Sequence, residues 1–260
     1  MAERLAGRQM LEITSVSNAK VKETVKLHQK KYRTESGLFL IEGYKPVHEA
    51  FLEKVEIETV FTTAKHLEKF EFVKDKIVLV TDAVIEKLST TDSACEAVAV
   101  AKQVNISLED IKNKTRIALL ENTKDAGNLG TLMRSAAAFK IDAIVLCGDT
   151  IDPYNPKVVR STVGGLFKVP FVKADLAKVK ETFKNHNFIA TVVNHKDVVE
   201  LQTIDYTNPF VIMLGSEADG LTPEAVDVAN IKTTIPISKS TESLNLSVAG
   251  SILFYISAQV

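Results

Sequence analysis

The sequence predicts an α/β protein whose second half is a mostly parallel sheet covered by helices. From Ile117 onward, short apolar strands alternate with helical segments, as in sheets that are buried on both faces. Before that point, shorter strands and helices predict a small separate α/β domain at residues 35–104. We predict a basic N-terminal helical extension at 1–34, a linker at 105–115 and the larger domain at 116–260. A chain of 260 residues is long enough for two domains.

Local patterns predict the individual elements of the chain. Possible caps at Ser17 or Asn18 and helical spacing of apolar residues predict a helix from residue 14 to about 34. The smaller domain has predicted strands at 38–41, 55–62, 76–80 and 97–104, with helices at 47–51 and 82–88. The larger domain has predicted strands at 117–121, 143–147, 169–172, 188–193, 210–214 and 231–235, and helices at 129–140, 156–163, 175–185, 223–229 and 244–258.

Composition excludes several classes of protein. No apolar run approaches the roughly 20 residues that span a bilayer, and the first residues lack an apolar signal core, so we expect no membrane and a cytoplasmic location. Cys95 and Cys147 are the only cysteines, and we expect both to be reduced and buried. The five histidines have no metal-ligand spacing, so no metal is expected.

The N-terminal segment is basic although the chain as a whole has a formal net charge of −1. Residues 1–34 contain eight lysines and arginines against three glutamates, and Tyr32 adds an aromatic ring near the basic end. A basic arm of this kind can dock a polyanion such as RNA. The alternative is a solvated basic helix without a partner.

Three stretches with polar residues follow predicted strands: 122–135, 211–221 and 235–255. Because the carboxyl ends of parallel strands meet at one edge of a sheet, these stretches predict one shared pocket. Neither GxGxxG nor GxxxxGK[ST] is present, which disfavours a Rossmann-type dehydrogenase and a P-loop NTPase. The polar candidates for chemistry in this pocket are Asn128, Arg134, Glu217, Ser243 and Asn245.

The motifs NLGTLMRSAAAF, LGSEADGL and IPISKSTESLNLSVAGSILFY, in this order, resemble those of the SPOUT superfamily, and specifically the SpoU (TrmH-type) RNA 2′-O-ribose methyltransferases. FLIEG at 39–43 and LSTTDSACEAVAVA at 88–101 resemble the L30e-like substrate-binding domain that precedes many such enzymes. The resemblance implies S-adenosylmethionine as cofactor, a deep trefoil knot in the SPOUT domain, and a homodimer formed through the knotted region. It implies 2′-O-methylation of a ribose in structured RNA, with 23S-type ribosomal RNA as first choice and tRNA as second. A non-catalytic RNA-binding or ribosome-assembly protein with this fold is the other alternative.

The resemblance also assigns roles to residues. Arg134 is the main catalytic candidate, expected to contact the ribose and the adjacent phosphate and to assist deprotonation of the hydroxyl. Asn128 would orient Arg134 or the ribose, Glu217 would fix the cofactor end and an active-site side chain, and Ser243 and Asn245 would lie near the reacting hydroxyl. The expected cofactor-binding residues are Leu214, Gly215, Ser216, Gly220, Ile235, Ile237, Ser243 and Leu244. Without the resemblance, each of these residues has a plainer interpretation. Asn128 and Ser243 could be helix caps. Arg134 and Glu217 could be surface residues, and Ile235 and Leu244 could belong to the core.

The sequence departs from the family pattern at two places. Ala218 stands where the second motif commonly has glycine, which predicts a slightly different loop without excluding activity. Residues 94–97, Ala-Cys-Glu-Ala, replace a common Pro-Gln-Gly turn, which affects RNA contact more than catalysis.

Overall fold

The computed structural model describes residues 11–91, 95–193 and 195–259. Arg4 and Arg8 of the basic extension and Ala94 of the substituted turn lie outside these ranges. Contacts divide the chain into two units. Unit 1 runs to Gln103 and includes Tyr154–Phe167, whereas unit 2 comprises Val104–Pro153 and the chain from Lys168 onward. The segment 154–167 thus belongs to unit 1, although the predicted boundaries place it in the larger domain.

Unit 1 is built on a five-stranded mixed sheet in the order β1-β4-β3-β5-β2. Strands β3–β5 and β5–β2 pair antiparallel, and the other neighbours pair parallel. The strands are β1 Glu12–Ile13, β2 Leu38–Glu42, β3 Ile57–Thr62, β4 Ile77–Val80 and β5 Ala97–Lys102. The helices are α1 Ala19–Lys26, α2 Lys30–Ser36, α3 Tyr44–Leu52, α4 Asp82–Leu88 and α7 Pro156–Thr162, with 3₁₀ segments at Ala64–Lys76 and Gly165–Phe167.

The continuous helix predicted from residue 14 to about 34 is wrong, because the structure has two helices there. The chain leaves the helical pattern between α1 and α2, around Leu27 and His28. The buried side chain of Arg33 donates hydrogen bonds from Nη1 to the carbonyls of Leu27 and His28, at 2.8 and 2.9 Å. These carbonyls are therefore satisfied by a side chain instead of by a continuing helix.

Unit 2 contains a seven-stranded sheet in the order β10-β12-β9-β11-β6-β7-β8. All of its strand pairs are parallel, as predicted. Its strands are β6 Arg116–Glu121, β7 Ala143–Cys147, β8 Phe171–Lys173, β9 Asn187–Thr191, β10 Val199–Glu200, β11 Phe210–Leu214 and β12 Ile231–Thr234. Its helices are α5 Leu108–Ile111, α6 Ala126–Ala138, α8 Leu176–Thr182, α9 Pro223–Val228 and α10 Leu246–Ser257, with a 3₁₀ turn at Leu201–Thr203.

Element boundaries in unit 2 differ from the predicted ones by a few residues. The predicted linker 105–115 contains α5, which begins at a capping box formed by Ser107 and Asp110. The strand order matters more for function, since it places β12, β9 and β11 side by side. The loops that follow these three strands therefore leave the same edge of the sheet.

The last helix, α10, packs closely on α6. A Cβ atom added to Gly250 would lie 2.3 Å from Leu132 Cδ2 and 2.8 Å from Leu214 Cδ1. Ser135 and Ser251 are hydrogen-bonded through their hydroxyls at 2.6 Å, and Phe139 and Tyr255 meet edge to face. With a larger residue at this position, the side chains of Leu132 and Leu214 would have to shift. The trefoil knot itself stays a prediction.

Across the described ranges, no helix has the length and apolarity that a bilayer crossing requires.

Replacing Gly250 by valine should lower the free energy of unfolding by about 2 kcal/mol, because the added atoms overpack the contact with Leu132 and Leu214. Urea denaturation followed by circular dichroism measures this change. Ala138→Val, at an exposed position of α6, controls for the cost of valine in a helix. Equal losses in the two variants would contradict the close approach.

Candidate active site

The loop after β11 is a tight turn that depends on Gly215. A Cβ atom at this position would lie 1.9 Å from the backbone carbon of Gly220, so no other residue allows the turn to close. Ser216 and Gly220 exchange backbone hydrogen bonds of 2.9 and 3.1 Å, and Gly220 has a φ of +69°. Ala218, by contrast, does not have positive φ, so alanine occupies this position without backbone strain.

A buried carboxylate anchors the far end of this loop. Glu121, the last residue of β6, accepts hydrogen bonds from the backbone N and the hydroxyl of Thr222, at 2.8 and 2.9 Å. The Thr222 hydroxyl also accepts from the backbone N of Ala225 and so caps α9. The loop that carries Glu217 is therefore held at both ends. Sequence reasoning missed this pair, because nothing local to either residue indicates it.

Three predicted site residues form one hydrogen-bonded relay. Asn128 Nδ2 donates to Glu217 Oε1 at 2.9 Å, and Asn245 Nδ2 donates to Asn128 Oδ1 at 2.9 Å. Asn245 Oδ1 accepts from the backbone N of Ser247 at 2.9 Å and from that of Val248 at 3.3 Å. Residues that are far apart in sequence thus become one polar group at the carboxyl edge of the sheet.

The relay fixes which way each amide points. Helix N–H groups only donate, so the oxygen of Asn245 must face α10 and its nitrogen must face Asn128. Asn128 then receives that donor on its oxygen, which turns its own nitrogen towards the carboxylate of Glu217. The backbone N of Asn128 donates to Asp125 Oδ1 at 2.8 Å, which holds the residue at the start of α6. Asn128 is 8% exposed, whereas Glu217 and Asn245 are exposed.

The caps of the two helices differ from the expected ones. Asp125, and not Asn128, caps α6. The predicted start of the last helix at residue 244 is wrong, because α10 begins at Leu246 with Asn245 as its cap. Ser243 therefore lies outside the helix, with an exposed side chain. Asn245 is preferred as cap because its oxygen reaches two backbone N–H groups at once.

Beside the relay lies a cleft of two adjoining cavities, of about 570 and 820 Å³. They share wall residues that include Thr191, Ser243 and Leu244. The cavity next to Glu217 and Asn245 is lined by six of the predicted cofactor-binding residues: Leu214, Gly215, Ser216 and Gly220, and the shared Ser243 and Leu244. Ile235 and Ile237 line the other cavity. All eight predicted cofactor-binding residues thus lie in the cleft wall, but their role in binding stays a prediction.

The cleft fits the chemistry of S-adenosylmethionine. Apolar side chains such as Leu214, Ile235 and Leu244 provide a slot for an adenine ring, and the turn at 215–220 brings backbone close to the cavity. Thr191 Oγ1 is buried and has no hydrogen-bond partner among the described residues. A hydroxyl of this kind in a cleft wall is available to a polar ligand atom.

Sequence reasoning missed one wall of the cleft. Thr191, the last residue of β9, lines both cavities together with Val192, Val193 and His195, which follow the strand. The usable signal was the position of this strand, since a strand between β11 and β12 must end beside their loops. The stretch was overlooked because it contains no glycine.

Arg134 is not brought together with the other candidates. It lies on α6 with an exposed side chain, and it makes no hydrogen bond or ion pair with any described residue. It is also absent from the residues that line the two cavities. The predicted role of Arg134 in catalysis therefore stays a prediction.

Neither cysteine lines the cleft. Cys95 and Cys147 are free thiols, and burial is the main cause that raises the pKa of each. Cys147 is buried as expected, whereas the same expectation for Cys95 is wrong, because its side chain is half-buried. The part of the chain that the structure describes holds no group of three or more histidine, cysteine or acidic side chains suited to a metal ion.

Comparison with known proteins agrees with this architecture. The model of the SpoU rRNA Methylase family matches residues 115–255, and that of the MRM3-like substrate binding domain matches residues 18–99. The 23S rRNA (guanosine(2553)-2′-O)-methyltransferase RlmP of Bacillus subtilis is 29% identical over 95% of this chain and 98% of its own.

Two further relatives differ in how much of the chain they match. The crystal structure of AdoMet-bound rRNA methyltransferase from Sinorhizobium meliloti has a TM-score of 0.86 and 30% identity, and covers 96% of this chain and 98% of its own. The tRNA (guanosine(18)-2′-O)-methyltransferase of Aquifex aeolicus is 32% identical over 55% of this chain and 69% of its own. The family model alone spans more than half of the residues. The chain therefore belongs to the SpoU family of RNA ribose-2′-O-methyltransferases, whose members use S-adenosylmethionine as methyl donor.

Proposed function

We propose that this protein transfers a methyl group from S-adenosylmethionine to the 2′-hydroxyl of a ribose in 23S-type ribosomal RNA. The observation that carries the proposal is the relay of Glu217, Asn128 and Asn245 at the rim of the cleft. It supplies fixed polar groups beside a cavity that fits the methyl donor. A ribose hydroxyl is a poor nucleophile at neutral pH, so alignment of this kind is what the reaction requires.

Ribosomal RNA is favoured over tRNA by the extent of the similarity. The Bacillus relative, named for 23S rRNA, matches both halves of the chain, whereas the Aquifex relative, named for tRNA, matches about half of it. The N-terminal half is the part that matches a substrate-binding domain. A substrate in the cell's ribosomal RNA would also place the protein in the cytoplasm.

Each polar residue has a role that its geometry permits. The cofactor, when bound, supplies an electrophilic methyl group on sulfur. Asn128 and Asn245 hold their amides in one orientation and so fix the shape of the cleft rim around the ribose. The guanidinium of Arg134 is a planar cation with several donors, so it binds the adjacent phosphate and stabilises negative charge on the oxygen more readily than it removes a proton. Ser243, exposed beside the cleft, offers a hydroxyl to the same ribose.

We further propose that two copies of the chain form a homodimer through α6 and α10. Val248 and Tyr255 are 47% and 51% exposed on α10, seven residues apart, and therefore share one face of the helix. Arg134 lies unpaired on α6, the helix against which α10 packs. A second copy on this side would cover the apolar face and bring further groups to Arg134.

Arg134→Ala should lower the rate of methyl transfer to ribosomal RNA by about 100-fold or more, because the charge that stabilises the transition state is lost. Transfer of labelled methyl groups to RNA from cells lacking the protein measures the rate, and calorimetry measures cofactor binding, which should not change. Lys180→Ala removes an exposed cation of unit 2 as a control. Cofactor binding by the wild type without transfer to any RNA would favour a non-catalytic binding protein.

Asn128→Asp should lower methyl transfer roughly 100-fold at neutral pH, because a carboxylate would then face Glu217 where an amide donates. One proton shared by two close carboxylates restores the donor, so the ratio of variant to wild-type activity should rise as the pH falls. The matched control is Asn208→Asp. In the wild type, the Asn208 amide donates to Asp205 at 2.7 Å at an exposed site. A ratio that does not depend on pH would count against the relay.

Tyr255→Glu should shift the protein from dimer to monomer, because a charge would be buried in the interface. Sedimentation velocity measures the mass of the wild type and the variant, with Lys180→Glu as the control. A wild type that sediments as a monomer would overturn the proposed dimer and leave the proposed reaction untouched.

A further inference from the structure

Unit 1 contains a buried carboxylate that holds a basic side chain from α7. Glu42, at the end of β2, has a side chain that is 3% exposed. It accepts hydrogen bonds from the hydroxyl of Ser89 at 2.8 Å and from the hydroxyl of Thr90 at 2.6 Å. The backbone N of Thr90 also donates to it, at 3.2 Å to the nearer oxygen. Arg160 Nη1 forms an ion pair with the same carboxylate at 3.2 Å and contacts the hydroxyl of Thr90.

These contacts use only one nitrogen of the guanidinium. Nη2 and Nε of Arg160 have no partner among the described residues, and the side chain is 30% exposed. Arg160 is therefore held at one nitrogen, while part of its side chain stays exposed. An arginine that is held in this way loses little conformational freedom when it binds a ligand.

A second cation stands beside it on the same helix. Lys157 precedes Arg160 by three residues, so the two side chains are neighbours on the surface of α7. Lys157 is exposed and makes no ion pair with any described residue. Within the described ranges, the one carboxylate that contacts this pair is that of Glu42, which also accepts from three other donors.

A purely structural role explains these contacts poorly. Ser89 and Thr90 satisfy most of the acceptor capacity of Glu42, which is about four hydrogen bonds for a carboxylate. Placing a charge against a buried carboxylate costs desolvation and often adds little stability. Nη2 and Nε of Arg160 make no hydrogen bond with a described residue, and a planar fork beside a lysine suits a phosphate group.

We propose that Arg160 and Lys157 bind a backbone phosphate of the RNA substrate, with Glu42 as the positioning residue for Arg160. The inference rests on the proposed function in so far as unit 1 binds the RNA. It adds a contact from the segment 154–167, which the sequence places in the methyltransferase half and the structure assigns to unit 1.

The test is the salt dependence of RNA binding, measured by filter binding of an unmodified 23S rRNA transcript over a series of KCl concentrations. Lys157→Ala should raise Kd roughly tenfold and lower the slope of log Kd against log salt by about one, because one phosphate contact is lost. Arg160→Lys should keep the slope but also raise Kd, since the charge remains and the fork is lost. The control is Lys74→Ala, which removes an exposed cation from the 3₁₀ segment of unit 1.

Two outcomes would overturn the inference. One is that Lys157→Ala, which leaves Glu42 and its partners in place, binds RNA with the Kd and the salt slope of the wild type. The other is that the Arg160 variant loses thermal stability but binds RNA as the wild type does. Binding is measured here without methyl transfer, so an RNA that binds with the expected slopes but is never methylated would contradict only the proposed reaction.

Discussion

The candidate active site depends on the hydrogen bonds that Asn245 makes in two directions. Its oxygen caps α10, an interaction that contributes about 1 kcal/mol in typical helices. Its nitrogen donates to Asn128, which in turn donates to Glu217. One side chain therefore joins the start of the last helix to the first turn of α6 and to the loop after β11. The cleft has its shape because these elements are held together at this point.

Glycine makes this arrangement possible at two places. Gly215 allows the loop of Glu217 to fold back on itself, and Gly250 allows α10 to approach α6 and β11. Each position is defined by neighbouring atoms that a Cβ would meet at less than 3 Å. The departure at Ala218 has no such consequence, because the backbone there does not need positive φ. The loop can therefore keep its form with alanine in place of a glycine.

Both units show cations or amides that are held by a carboxylate. In unit 2, Glu217 receives the amide of Asn128, and in unit 1, Glu42 receives the guanidinium of Arg160. In each case the carboxylate fixes the direction of a donor before a ligand binds, which lowers the entropy lost on binding. Arg134 lacks a support of this kind within the described chain, which is why we propose that a second copy brings further groups to it.

The sequence by itself determined the α/β class, the parallel order of elements in the second half and part of the residues around the cleft, without the wall at Thr191, Val192, Val193 and His195. These follow from local information, namely apolar strands, glycine turns and motifs of contiguous residues. It also indicated Asn128, Glu217 and Asn245, although not how they are joined.

Only the tertiary structure decided that these three form a relay, that Arg33 interrupts the first helix, and that the segment 154–167 belongs to unit 1. The reason is distance along the chain: the partners in the relay are 89 and 117 residues apart, and Arg160 lies 118 residues from Glu42. Local periodicity carries no information about hydrogen bonds at such separations, because they depend on how the sheets and helices pack.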